Sequence, residues 1–292
     1  MSSTPEGRCI MAYLYESEIE EMAIEELQAL GYTYVSGNDL TPDTAPLERK
    51  SFADVILRDR CLSALRRINP HLSDGAIESA LKALYQVAGT YQVTDNEKFH
   101  RYLTDGIPVE YRKKDDVVGD FAYLIDPSDS PGKNEFLAVN QFTIIEKGIN
   151  KRPDIILFVN GLPLVTFELK NAADLNATVK KAYEQLKTYK AAIPQLFSYN
   201  EICVISDGLE AKVGSYTAPF SRFSTWKTKD GLSDASPFED ELSVTLNGLF
   251  NRNTLIDYIL NFVAFEKAKI ENDEKKIIRI ETIKKIAAYH QY

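Results

Sequence analysis

KRPDIILFVNGLPLVTFELKN, residues 151–171, combines two apolar runs with a few charged residues at their outer ends. The runs flank Asn160-Gly161, a dipeptide that favours a tight hairpin turn. Apolar residues are continuous in both runs rather than alternating, which is typical of strands that are covered on both faces. The stretch therefore predicts a buried β-hairpin at the centre of the fold.

Three ionisable side chains interrupt this hairpin: Asp154 on the first strand, and Glu168 and Lys170 on the second. Glu168 and Lys170 are two residues apart, so on a strand they project to the same face. A strict two-residue turn would pair Asp154 with Phe167 and send its side chain to the wrong face. We predict a three-residue loop, Asn160-Gly161-Leu162, or an equivalent bulge, which sets Asp154 opposite Glu168 and needs a positive φ at Gly161 or a neighbour.

Two carboxylates and a lysine on one face of a hairpin are the groups that phosphodiester hydrolysis requires. A divalent ion lowers the pKa of water and neutralises charge on the transition state, and carboxylates hold that ion. A lysine beside them orients or activates the water, or stabilises the developing negative charge. Glu-x-Lys alone is common by chance, and charged residues at strand ends usually face solvent. Buried within an apolar hairpin, however, these charges are costly unless they coordinate something. We therefore expect Asp154, Glu168 and Lys170 to be catalytic, with the two carboxylates as metal ligands.

The composition limits which metal such a site binds. The 292 residues include only three cysteines and three histidines, which are scattered along the chain. This pattern favours reduced thiols over a disulfide framework or a zinc cluster. A site built on carboxylate oxygens indicates Mg²⁺, with Mn²⁺ as a possible substitute.

Hydropathy and charge give expectations about location and partners. No apolar run approaches the roughly 20 residues that span a bilayer, and the start MSSTPEGR has no signal-peptide core, so we expect a cytoplasmic protein without a membrane partner. The chain has 34 basic and 43 acidic residues, a net charge of −9. This charge opposes tight nonspecific DNA binding by the isolated chain, so other parts would have to hold the DNA.

Around the hairpin, periodicity and turn signals predict an α/β fold: a mixed central sheet flanked by helices. Helices are expected over 17–30, ending at Gly31, over 52–88 with a break near Asn69-Pro70, and over 177–192, 254–268 and 275–288. Strands are expected at 32–35, within 107–146, and at 201–206 and 211–216. Ser73-Asp74 is the expected N-cap of the second helix in 52–88. We interpret 52–105 as a helical insertion.

The residues of the central hairpin also carry a resemblance. Arg152-Pro153-Asp154 followed by Phe167-Glu168-Leu169-Lys170 resembles the PD-(D/E)xK nuclease motif, and RPDIILFVNGLPLVTFELKNA is similar to the restriction (R, motor) subunit of type I restriction-modification enzymes. Gly31-Tyr32, NQFTIIE and DGLEAKVGSYTAPFSRFSTWKT extend the similarity over most of the chain. The resemblance implies a PD-(D/E)xK restriction-endonuclease-like core.

The same resemblance implies accessory residues. Gln185 and Tyr189 match the QxxxY motif of RecB-like nucleases and are expected to contact DNA or the water shell of the metal. Related nucleases place a glutamate of the first helix near the metal; Glu20 is our choice. Its competitors are Glu16, Glu18, Glu21 and Glu25. Lysines on the QxxxY helix are candidates for phosphate contacts, although lysines on a helix are more often solvent-exposed residues without a binding role. These are Lys180, Lys181, Lys187 and Lys190.

The resemblance further implies a longer protein. The R subunit has an ATP-driven motor with a GxxxxGK[ST] phosphate loop, and no such string occurs here. The ending AAYHQY resembles the segment that leads into that motor. We therefore expect an endonuclease domain over 1–265 and, over 266–292, a helical linker towards an absent motor, through which alone ATP would act.

Three functions remain open from the sequence. The first is an endonuclease domain that cuts double-stranded DNA after translocation, working with the modification (methyltransferase) and specificity subunits. The second is a non-catalytic module that docks the motor onto those subunits. The third is a free-standing repair or recombination nuclease, which the net charge of −9 disfavours.

Overall fold

A computed structural model describes residues 16–89, 92–113, 116–128, 132–171, 178–271 and 277–292. Of the features discussed above, the start MSSTPEGR, one of the three cysteines (Cys9) and the first residues of the helix predicted over 275–288 lie outside these ranges. The helices are α1 Glu16–Ala29, α2 Arg58–Ile68, α3 Asp74–Tyr85, α4 Gln92–Asp105, α5 Val179–Ala192, α6 Pro194–Ser198, α7 Glu241–Leu249 and α8 Arg252–Asn261. The strands are β1 Thr33–Ser36, β2 Ile107–Lys113, β3 Asp116–Ala122, β4 Phe136–Asn140, β5 Ile144–Glu146, β6 Ile149–Lys151, β7 Ile155–Val159, β8 Leu162–Leu169, β9 Ile202–Ser206, β10 Ala211–Gly214, β11 Val263–Glu271 and β12 Ile277–Ile286.

A six-stranded sheet in the order β1-β4-β7-β8-β9-β10 forms the centre of the molecule. It is mixed: β1 and β4 are parallel, as are β8 and β9, and the other neighbours are antiparallel. Helix α1 contacts β4 and β8, and α5 contacts β8 and β9. The pairs β2-β3, β5-β6 and β11-β12 form separate two-stranded sheets. The predicted mixed α/β class is confirmed.

The central hairpin β7-β8 is buried along its whole length, as its continuous apolarity predicts. Asn160 and Gly161 form its two-residue turn with φ values of 53° and 77°, and Val159 pairs with Leu162. The register then shifts, because Phe158 pairs with Pro163 but Leu157 pairs with Val165. Leu164 is the extra residue of a β-bulge. The predicted change of register is confirmed in its bulge form, and the three-residue loop is not used.

Most predicted helices and strands are present. The first helix of the predicted insertion over 52–105 begins later than expected. Helix α1 is followed by Gly31 at a φ of 91°, and the Ser73 side chain accepts a hydrogen bond from the backbone of Ala76 at the start of α3. Helix α2, however, begins at Arg58 rather than at residue 52. The Leu57 backbone N–H donates to the Gly161 carbonyl at 3.0 Å. Leu57 itself has an extended backbone, and its N–H is used by this contact, so the helix does not continue back through it.

The helix predicted over 254–268 is present only as far as Asn261, and the helix predicted over 275–288 is wrong. Helix α8 ends at Asn261, and β11 and β12 form an antiparallel hairpin with Val263 opposite Ile286. Residues 277–286, IIRIETIKKI, include six β-branched side chains, which favour strands more than the abundant Lys and Glu favour helices. The segment 266–292 is therefore not a helical linker where the structure describes it.

A buried ion pair fastens this C-terminal hairpin to the central sheet. Lys284 of β12 is fully buried, and its Nζ donates to Glu201 Oε2 at 2.6 Å and to the Asn200 carbonyl at 2.9 Å. The Nδ1 atom of His100 on α4 lies 3.1 Å from the same Glu201 oxygen. Buried charges persist only when they are paired, so this cluster links three parts of the chain at one point.

Across the described ranges, no helix is long and apolar enough to cross a membrane.

The tight packing of the hairpin turn gives a stability prediction. A Cβ on Gly161 would lie 2.6 Å from the Leu57 carbonyl oxygen and 2.9 Å from the Cys61 nitrogen, whereas Gly148 has a similar φ of 78° and open space around it. We expect Gly148→Ala to lower the free energy of unfolding by about 1–2 kcal/mol, the left-handed cost alone. Gly161→Ala should lower the free energy of unfolding by a further ~1–3 kcal/mol, because the backbone of Leu57 and Cys61 must move to make room for the Cβ. Urea unfolding of both variants checks this, and equal losses would contradict the packing described.

Candidate active site

Asp154 and Glu168 meet at the end of the central hairpin that lies away from the turn. Ile155 pairs with Phe167, so one step further along the ladder Asp154 stands opposite Glu168. The Asp154 Oδ2 atom accepts a hydrogen bond from the Leu169 backbone at 2.7 Å. Asp154 is 6% exposed and Glu168 is 1% exposed. The bulge at Leu164 thus brings two carboxylates together in a nearly dry environment.

Lys170 brings the positive charge to this site. Its Nζ lies 2.6 Å from Glu168 Oε1 and 2.8 Å from the Leu169 carbonyl oxygen, and 3.6 Å from Glu16 Oε1 on α1. Glu168 and Lys170 lie on the same side of the strand, as their spacing predicts. One ammonium group thus contacts a buried and a more exposed carboxylate.

The second oxygen of Glu168 suits a cation. Glu168 Oε2 is buried and accepts no well-formed hydrogen bond from the described residues; the Tyr189 hydroxyl lies beside this carboxylate and lowers its pKa, but donates to the Arg152 carbonyl. Buried polar atoms are normally satisfied, so an orphaned carboxylate oxygen calls for a ligand. In the described part of the chain, no three acidic, histidine or cysteine side chains come close enough to hold a metal together. Two carboxylates nevertheless suit Mg²⁺, which commonly binds one or two protein carboxylates and completes its shell with water and substrate phosphate.

Burial raises the proton affinity of both carboxylates. Desolvation raises the pKa of Asp154 from 3.8 to about 6, with Glu16 and Glu20 adding to the rise and the Leu169 N–H and Lys170 opposing it. Desolvation, together with the negative charge of Asp154, raises the pKa of Glu168 from 4.5 to about 8. Burial lowers the pKa of Lys170, but the neighbouring carboxylates outweigh it and the net shift is upward. Lys170 therefore stays protonated at neutral pH.

Two glutamates of α1 approach the site without joining Asp154 and Glu168 directly. Glu20 accepts hydrogen bonds from Asn140 Nδ2 at 2.7 Å and from Gln141 Nε2 at 2.6 Å. Gln141 Nε2 also lies 3.3 Å from Asp154 Oδ1, so an amide separates Glu20 from Asp154. Glu16, one turn earlier, reaches Lys170. Of the competitors, Glu21 and Glu25 are exposed on the helix.

The QxxxY pair lies on α5 beside the same carboxylates. Tyr189 is buried, and its hydroxyl donates to the Arg152 carbonyl at 3.1 Å, two residues before Asp154. Burial raises the pKa of Tyr189, and the charge of Glu168 raises it further. Gln185 is half-buried and interacts with the Tyr189 hydroxyl. Tyr189 therefore supports the backbone that enters β7 and lies beside Glu168; its contact with DNA or with metal-bound waters stays a prediction.

The four lysines of α5 do not form one surface. Lys181 is exposed and lies one helical turn before Gln185, on the side of the carboxylates. Lys180 is exposed on the side of Tyr183, whose hydroxyl donates to the Ala218 carbonyl. Lys187 pairs with Glu184, and Lys190 donates to the Tyr216 carbonyl. Lys181 is thus the best placed of them to contact a phosphate near the site.

Sequence reasoning did not single out Gln141 or the contact of Glu16 with Lys170. Gln141 occurs in the NQFTIIE segment and directly follows the apolar strand β4, where strand-end polar residues are functional candidates. Its contacts depend on a backbone φ of 49°, a conformation that the presence of a glutamine does not predict. Glu16 was one of several acidic residues on one helix, and only the position of α1 against β8 distinguishes it.

A mixed α/β sheet with two opposed carboxylates and a lysine on its central hairpin defines a nuclease-like core. The family described as the type I restriction enzyme R protein N terminus matches residues 13–222. The chain belongs to this family.

Curated relatives agree with this assignment. The chain is 40% identical over 282 residues to the type I restriction enzyme HindI endonuclease subunit of Haemophilus influenzae, a match that covers 96% of this chain and 26% of the relative. It is 35% identical over 274 residues to the putative type I restriction enzyme MjaIXP endonuclease subunit of Methanocaldococcus jannaschii, covering 86% of this chain and 26% of the relative. The chain thus spans about a quarter of the length of these relatives and corresponds to the N-terminal region of such a subunit.

The raised pKa values of the carboxylates predict a stability that depends on pH. Because the folded protein holds protons on Asp154 and Glu168 that the unfolded chain releases, these groups reduce stability as pH rises from about 4 to 8. In metal-free buffer, we expect Glu168→Gln to remove most of this dependence. The variant should be more stable than wild type at pH 8 by at least about 1 kcal/mol, roughly 2–4 °C in Tm.

The control for this measurement is Glu210→Gln, which alters an exposed glutamate paired with Lys212. Its stability relative to wild type should stay constant from pH 5 to pH 8, within about 0.5 kcal/mol. A Glu168→Gln protein that is less stable than wild type at pH 8 would contradict the electrostatics described here.

Proposed function

We propose that this chain is the nuclease domain of a type I restriction enzyme R subunit and hydrolyses phosphodiester bonds of double-stranded DNA with Mg²⁺. The orphaned Oε2 atom of Glu168, buried opposite Asp154 and beside Lys170, is the observation that supports this most strongly. Asp154 and Glu168 would hold the ion, for which Mn²⁺ is the proposed substitute. When bound, such an ion lowers the pKa of water and neutralises charge on the transition state.

The contacts of Lys170 indicate how it would take part. The carboxylates around it raise its pKa, so the ammonium group remains a donor at neutral pH. A protonated lysine cannot accept a proton from water, but it can orient that water and stabilise negative charge on the phosphoryl oxygens. We therefore assign Lys170 to electrostatic stabilisation and water positioning rather than to the role of general base.

Charge suggests a division of labour within the longer subunit. The net charge of −9 disfavours DNA binding by these residues alone. The relatives extend well beyond the matched region, and their printed names describe endonuclease subunits of type I restriction enzymes. We propose that the remaining part of the subunit, through ATP, and the modification and specificity subunits deliver the DNA, while this domain supplies the catalytic groups in the cytoplasm.

The test is nicking of supercoiled plasmid by the chain in molar excess, at low ionic strength and with Mn²⁺. We expect slow nicking by wild type and a loss of about 100-fold or more in Lys170→Ala, because removal of one preorganised donor typically costs that much. Lys229→Ala is the matched control: it removes an exposed lysine paired with Glu239, and should nick like wild type.

The outcomes separate the competing functions. Equal nicking by Lys170→Ala and wild type would contradict the proposed role of Lys170, because the cleavage would then not depend on this site. No nicking by wild type would contradict the proposal that these 292 residues hold a complete catalytic site and would favour a docking module. Fast nicking at low protein concentration and physiological salt would instead favour a free-standing nuclease.

A further inference from the structure

Gln141 has a strained backbone directly beside the two carboxylates. It follows β4, whose last residue Asn140 pairs with Ile155, so Gln141 stands opposite Asp154. Its φ is 49°, a value that residues other than glycine rarely adopt. Its backbone N–H donates to the Asp154 carbonyl at 2.9 Å. Strained residues persist where the surroundings require them, and they cluster at functional sites.

The Gln141 side chain uses one amide nitrogen to connect two acidic residues. Nε2 carries two N–H groups; it lies 2.6 Å from Glu20 Oε2 and 3.3 Å from Asp154 Oδ1. Asn140 Nδ2 holds the other Glu20 oxygen at 2.7 Å. Two neighbouring amides therefore hold the Glu20 carboxylate, and one of them extends the connection to Asp154.

This arrangement fixes the orientation of Asp154 without adding charge to the site. Oδ2 of Asp154 accepts from the Leu169 backbone and Oδ1 faces Gln141, so a donor lies at each oxygen. A lysine or arginine at position 141 would compete electrostatically with a metal ion, and a glutamate would repel both neighbours. An amide satisfies the carboxylates and leaves their negative charge available to a cation.

We propose that Gln141 is a positioning residue that holds Asp154 in the orientation required for metal binding and keeps Glu20 tied to Asn140 rather than to the metal. This inference rests on the proposed function, because it assumes that Asp154 and Glu168 hold the ion. Groups that orient metal ligands in this way typically contribute 10–100-fold to metal affinity.

Gln141→Gly distinguishes the effect of the side-chain amide from the effect of the strained backbone. Glycine adopts a φ of 49° without penalty, so the variant loses the amide but also loses the strain. Because the relief of strain offsets the lost hydrogen bonds, we expect its Tm in metal-free buffer to stay close to that of wild type, while its Kd for Mn²⁺ rises by roughly 10–100-fold. A residue with only a structural role would change the Tm and leave the metal affinity as it was.

Two further variants test the amide of Gln141 and the contact of Asn140 with Glu20 separately: Gln141→Met and Asn140→Ala. Methionine has a similar length and no N–H group, so Gln141→Met should bind Mn²⁺ as weakly as Gln141→Gly. Asn140→Ala releases one oxygen of Glu20 and leaves Gln141 on Asp154, so its Mn²⁺ affinity should stay within about threefold of wild type. Isothermal titration of the 292-residue chain with Mn²⁺ measures all four proteins.

Two results would overturn the inference, and they are distinguishable. Mn²⁺ binding by Gln141→Gly within about threefold of wild type would remove the role of Gln141 and leave the proposed metal site intact. Absence of Mn²⁺ binding by wild type itself would remove the metal site, and with it the assumption on which the role of Gln141 depends.

Discussion

Burial of two facing carboxylates is the constraint around which the central part of this protein is built. Asp154 and Glu168 lie opposite one another at the end of the β7-β8 hairpin, where desolvation raises the pKa of both groups and the negative charge of Asp154 raises that of Glu168 further. The surrounding groups partly offset this cost: the Leu169 N–H, the Lys170 ammonium group and the Gln141 amide all contact one of the two carboxylates. One oxygen of Glu168 is left without a partner among the described residues, which is why we propose that a divalent cation completes the arrangement.

The hairpin shows how much of such a site the sequence contains. Strand periodicity, the Asn160-Gly161 turn and the positions of the charges together required one extra residue between Asp154 and Glu168, and the structure supplies it as a bulge at Leu164. Gln141 could not be found in this way, because its backbone conformation depends on packing between β4 and β7 rather than on its own residue type. The C-terminal strands were mistaken for helices because Lys and Glu are good helix formers, whereas tertiary pairing of β-branched residues decided the outcome.

The C-terminal hairpin is held to the central sheet by a buried ion pair. Lys284 inserts into the core and pairs with Glu201, next to β9, which runs parallel to the strand carrying Glu168. An uncompensated charge at this depth would cost several kcal/mol, so separation of the hairpin from the sheet is strongly disfavoured. The chain spans about a quarter of the length of these curated relatives.

The central claim is that Asp154 and Glu168 together bind one divalent cation, and anomalous diffraction from crystals grown with Mn²⁺ tests it most directly. The account predicts a single strong peak between the two carboxylates, roughly 2.0–2.3 Å from an oxygen of each, with Glu20 still held by Asn140 and Gln141. A peak held by the glutamates of α1 alone, or no peak beside Asp154 at a saturating Mn²⁺ concentration, would contradict it.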